Sequence, residues 1–149
     1  MLKKIFHPAV WLTGFAILHT VMFLVPQLFV TEMAAEMAWG EGKVPDHALF
    51  YEFQIGILGI GYTPMLLGIA FLVCGAKRAK LTIVTAIGMS LVAFMNSYAS
   101  ITKEGYLDDM SLLFMIGLPA VIFGGLLVSG ILHLNEDVQF SSSGRNVVA

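Results

Sequence analysis

Four stretches of this 149-residue chain, 9–30, 53–76, 81–102 and 110–132, contain no Lys, Arg, Asp or Glu, and each matches the thickness of a bilayer's hydrocarbon layer. A helix rises about 1.5 Å per residue, so roughly 20 apolar residues cross a layer of about 30 Å. Lipid offers no partner to a free backbone N–H or C=O, and a lone segment satisfies its own backbone only as a helix. The sequence therefore predicts an all-α integral membrane protein, a four-helix bundle with four crossings. Drawn to their polar borders, the spans are near 9–30, 49–76, 81–102 and 110–134. Residues 1–134 form the membrane domain and 135–149 a flexible tail.

Composition supports that class. With 58% hydrophobic and 12% charged residues, a soluble fold of this size would lack a polar surface. No basic stripe suggests nucleic acid, and the bilayer itself is the first expected partner. The single Cys74 allows neither a disulfide framework nor a cysteine metal cluster within one chain. Nine Met and eleven Phe suit helix surfaces in contact with lipid.

Lys3 and Lys4 followed by an apolar run imitate a secretory signal, but the hydrophobic part of a signal is about 7–15 residues and this run is longer, which predicts a retained first span. If the spans alternate, Lys3, Lys4, Lys77, Arg78, Lys80 and Arg145 share one side with only Glu136 and Asp137. The opposite side carries Glu32, Glu36, Glu41, Asp46, Glu52, Glu104, Asp108 and Asp109 against Lys43 and Lys103. Basic flanks stay on the cytoplasmic side, so both termini are expected there, in a bacterial-type inner membrane or a plasma membrane.

Only 31–48 is long enough between spans to have structure of its own. Thr31 as N-cap, Glu32 in the first turn, Trp39 at headgroup depth and Gly40 and Gly42 as terminators predict a short interfacial helix on the outer surface. Asp46 is expected to cap the start of the second span. The brief turn Ala76-Lys77-Arg78-Ala79-Lys80 makes spans two and three an antiparallel hairpin.

Small and polar residues recur along these spans. Gln54, Gly61, Gly68 and Gly75 are spaced by seven, Ala120 and Gly124, and Gly125 and Ser129, by four, and span three aligns Thr82, Ala86, Met89, Ala93 and Asn96, with Ser97 beside them. Small residues let helix backbones approach where lipid removes the hydrophobic drive, so Gly61, Gly68, Gly75, Gly124 and Gly125 are expected at helix contacts. Pro64 and Pro119 deprive the carbonyls of Ile60 and Met115 of their donors, and kinks are expected there.

Ionisable groups within the membrane are the default functional candidates, because burying them requires partners. His19, halfway along span one, is either satisfied by donating to a Ser, Thr or Asn of span three or a ligand for haem, a pigment or a quinone carbonyl. Glu52 either reaches the surface or forms a proton or cation site, together with Gln54. A pocket shared with Asn96 and Ser97 would take a small polar ligand. His133 suits a helix C-terminus, and with His7 it offers a pair for a metal or a bis-histidine haem.

No serine-hydrolase elbow, zinc-protease, phosphate-loop or dinucleotide motif is present, and catalysis by this chain alone is not expected. The stretch Gly68-Ile69-Ala70-Phe71-Leu72-Val73-Cys74-Gly75, the turn Lys77-Arg78 and the opening Leu81-Thr82-Ile83-Val84-Thr85-Ala86-Ile87-Gly88-Met89 resemble the central hairpin of DoxX-like four-helix membrane proteins. The long first outer loop and Glu52 near the start of span two are similar too. That resemblance implies a small membrane subunit working with redox partners, in some members connected to quinone and sulfur chemistry. From the residues themselves, two functions stay open: a non-catalytic subunit of a homo-oligomer or larger membrane complex, and a small transporter or channel for a cation or polar solute. A haem- or quinone-binding redox subunit is a third.

Overall fold

A computed structural model describes residues 2–102 and 116–136. Among them the chain is all-helical. Three helical stretches, Leu2–Phe29, Ala48–Leu72 and Gly75–Ala99, are long and apolar enough to cross a membrane, and a shorter apolar helix covers Leu118–Leu132. The 103–109 connection, the start of the fourth apolar run with Met115, and the tail from 137 lie outside the described residues.

The first stretch is not one uniform helix. It comprises α1 (Leu2–Ile5), α2 (Pro8–His19), a π-helical turn over Thr20–Leu24 and α3 (Val25–Phe29). Pro26 has no N–H for the carbonyl of Met22, and the Thr20 hydroxyl donates to Ala16 O at 2.8 Å. The backbone widens, with Val25 N–H donating five residues back to Thr20 O. This departure from regular helix precedes Pro26, a position the sequence reading of kinks left out.

Next, α4 (Thr31–Trp39) ends at Gly40, whose φ of 88° favours glycine. Thr31 does not cap it. Its hydroxyl donates back to Gln27 O at 3.0 Å, and the N-cap is Val30. Ala34, Ala35 and Ala38 are buried on one face, and α4 packs through this end of the molecule against α3 and α5.

The second stretch divides into α5 (Ala48–Gly59) and α6 (Tyr62–Leu72), interrupted at Ile60 and Gly61 just upstream of Pro64. The N-cap of α5 is His47, not Asp46, and no side chain supplies the capping bond.

Its connection to α7 (Gly75–Thr102) is shorter than the sequence suggests. Only Val73 and Cys74 separate the helices, and Gly75 starts α7 at φ 59°. Gly75 therefore serves the turn, where a left-handed backbone suits glycine, and not a helix face. Lys77, Arg78 and Lys80 sit in the first turns of α7. Arg78 donates from Nη1 to Ala70 O at 3.1 Å, satisfying a carbonyl in the last turn of α6.

The apolar centre comprises Leu12, Phe15 and Ala16 of α2, Leu66 and Ala70 of α6, Ala86 of α7 and Leu126 of α8 (Leu118–Leu132). Helix α2 packs on both α6 and α8, and α7 runs along α8. The closest approaches are made by glycine. A β-carbon on Gly125 would stand inside the indole of Trp11, and one on Gly130 would lie 2.8 Å from the Ala79 carbonyl oxygen. Gly56 meets Leu28 and Gln27 in the same way.

Candidate functional site

Hydroxyls on a membrane helix need acceptors, and most here find one on their own helix. Thr82, Ser90, Ser97 and Thr102 each donate to the carbonyl four residues back, at 2.8–3.0 Å. These bonds remove the need for a ligand along much of α7. Asn96 is exposed and Ser97 half-buried on that helix, and neither approaches His19 or Glu52 by a hydrogen bond. The pocket expected to combine these residues is thus not assembled within the described chain.

Two polar clusters lie between the first and second stretches. At their acidic end, Glu52 is 5% exposed and accepts a 3.4 Å hydrogen bond from Gln27 Nε2. Glu52 turns into the molecule because Gly56, one turn on, lets α5 approach Gln27 and Leu28 of α3. Gln54 is half-buried and lies two positions along, on another side of α5. An open cleft of about 510 Å³ adjoins this end, lined by Phe29, Val30, Thr31, Glu32, Leu49, Phe50 and Phe53.

Deeper along the same pair of helices, His19 meets Thr63. The distance from Nδ1 to Thr63 Oγ1 is 3.4 Å, and Thr63 lies 2.8 Å from the Thr20 hydroxyl. Aromatic rings surround the imidazole: Phe15 at 6.3 Å, Phe23 at 6.1 Å and Tyr62 at 5.7 Å between centroids. Thr63 reaches this position because α6 resumes just ahead of Pro64. The partner of His19 is therefore on the second span, where the sequence suggested the third.

A third group lies at the basic end. His133, the C-cap of α8 and 2% exposed, donates from Nδ1 to Ser129 O at 2.9 Å, while its Nε2 is 3.4 Å from Glu136 Oε1. His7 presents its ring edge-on, 5.5 Å away. Both nitrogens of His133 face protein atoms, and the ring is buried. Among the described residues no group of three or more His, Cys, Asp or Glu is arranged to hold a metal.

The glycines separate into two sets. Gly56, Gly125 and Gly130 meet neighbours closely, whereas Gly61, Gly68 and Gly124 have nothing within 4 Å of the place a β-carbon would occupy. Among the described residues the latter three do not mediate helix contact. Sequence spacing ranked Gly125 with Gly61, Gly68 and Gly124 and did not single out Gly56 or Gly130, because a repeated step marks a face without saying which neighbour covers it.

Together these features define the class: a small all-helical protein with three helices capable of crossing a membrane and paired polar side chains between the first two. No family model matches the chain, and neither a curated protein nor a solved structure does.

Proposed function

We propose that this chain is a non-catalytic integral subunit, crossing the bilayer four times with both termini cytoplasmic, that associates with copies of itself or with other membrane subunits. The open space at Gly61, Gly68 and Gly124 carries this reading. Small residues in lipid-facing helices support close backbone approach, and the described helices leave that approach unused. Exposed Asn96 on α7 adds a carboxamide that lipid cannot satisfy but a neighbouring helix can. The likeness of the central hairpin to DoxX-like proteins adds redox partners to the class of subunits worth seeking.

Native mass spectrometry of the detergent-extracted complex tests the proposal. The wild-type chain is expected above monomer mass. Gly61→Leu with Gly68→Leu should return it to monomer while the circular dichroism spectrum stays helical, since added side chains there meet open space. A monomeric wild-type chain, or unchanged assembly of the variant, would contradict it.

The burial of Glu52 favours a second reading, a conduit for a cation or small polar solute. A carboxyl group held inside by one long amide bond is poorly partnered for a purely structural role. Proteoliposome flux should then fall at least about tenfold in Glu52→Gln, a rise of ~1.4 kcal/mol in the barrier. Equal flux in the variant and the wild type, or none in either, removes the conduit.

A further inference from the structure

The protons of the Thr20, Thr63 and His19 cluster can be placed one at a time. A carbonyl oxygen only accepts, so the 2.8 Å contact from Thr20 Oγ1 to Ala16 O uses the single hydroxyl proton of Thr20. The 2.8 Å contact between the two threonines is therefore donated by Thr63. Having used its proton, Thr63 Oγ1 offers His19 only lone pairs, and His19 meets it through Nδ1. Nδ1 thus carries the imidazole proton. In the neutral ring the other nitrogen, Nε2, is a bare lone pair.

Among the described residues no hydrogen-bond partner meets that Nε2. It lies 3.8 Å from where a β-carbon on Gly59 would stand, with Leu24 Cδ1 3.6 Å from the same point, so no side chain at position 59 covers it. The Phe23 ring, 6.1 Å from the imidazole and inclined to it by 26°, and the Tyr62 ring, 5.7 Å away and inclined by 37°, supply aromatic surface beside it. The π-helical turn begins at the next residue, and such turns recur at functional sites.

We propose that His19 Nε2, Gly59, Phe23 and Tyr62 form a binding site for a membrane-dissolved phenol, whose hydroxyl donates to Nε2 and whose ring lies against the aromatic side chains. The chemistry selects this class. A carbonyl lipophile would set one acceptor against another, a metal ion would find one ligand, and an ether lacks the proton. The site does not depend on whether the chain associates with other copies.

The test uses the full chain in lipid nanodiscs, labelled at the histidine ring nitrogens and read by nitrogen NMR, with His19 assigned by the signals lost in His19→Gln. The probes are para-octylphenol and its methyl ether. Nδ1 of His19 is expected to appear protonated and Nε2 unprotonated before any probe is added. The phenol should then shift the Nε2 signal saturably and bind about tenfold tighter than the ether, the worth of one hydrogen bond. Gly59→Leu should abolish that shift and leave the Nδ1 signal in place. A proton on Nε2 with Nδ1 bare, or equal binding of phenol and ether, would overturn the proposal using the wild-type protein alone.

Discussion

Gly125→Ala should destabilise the protein by on the order of 3 kcal/mol, at the upper end of the range for overpacking a filled interior. The added methyl occupies the volume of the Trp11 indole. That indole cannot move away freely, because its Nε1 donates to Ile5 O at 3.1 Å and its ring stacks on Phe6 at 5.4 Å. Either α8 separates from α2 or the start of the first span rearranges. Thermal unfolding in mild detergent should show the loss. Gly14→Ala, on α2 like Trp11 but with nothing within 4 Å of the added carbon, should unfold like the wild type. Combining Gly125→Ala with Trp11→Leu should recover most of the stability, since the clash belongs to the pair and not to either position. Equal unfolding of the Gly14 and Gly125 variants would show that the two helices do not meet at Trp11.

Gly130→Ala should have the second-largest effect, about 2 kcal/mol, and through a different mechanism. Its methyl would meet the backbone carbonyl of Ala79 at 2.8 Å and the Ile83 amide nitrogen at 3.2 Å. A flexible side chain can turn aside, but two backbone atoms inside a helix move only with the helix. The variant should loosen α7 from α8, exposing Ala79 and Thr82, both fully buried. Cysteine introduced at Ala79 should label slowly with a maleimide in the wild-type background and much faster beside Gly130→Ala. Unchanged labelling would mean that α8 does not seal this part of α7.

The apolar helices were legible because the requirement to satisfy every backbone group in lipid is expressed in composition, as long runs without charge. The helix over Thr31–Trp39 was legible for a related local reason, its run of good helix formers ended by Gly40. Side-chain partners were not. Pairing Gln27 with Glu52, or Trp11 with Gly125, requires the crossing angle and rotation of two helices, which no single stripe of small residues fixes. Gly75 illustrates the ambiguity: it fits the seven-residue series with Gly61 and Gly68, yet its positive φ assigns it to the turn. Thr31 and Thr20 follow the same logic. A threonine near a helix end or centre can cap forward or bond back to the preceding turn, and here both bond back. The contact between His19 and Thr63 depends on the break ahead of Pro64, which the sequence located without indicating what it would bring together.

Four crossings with both ends on the cytoplasmic side are the claim on which the subunit reading rests, and reporter fusions at the two termini test it most directly. Paired fusions whose activity is specific to the cytoplasm or to the opposite compartment should place both the first and the last residues in the cytoplasm. Reporters on opposite sides would mean that Leu118–Leu132 and the apolar residues before it do not complete a crossing, and would contradict the account.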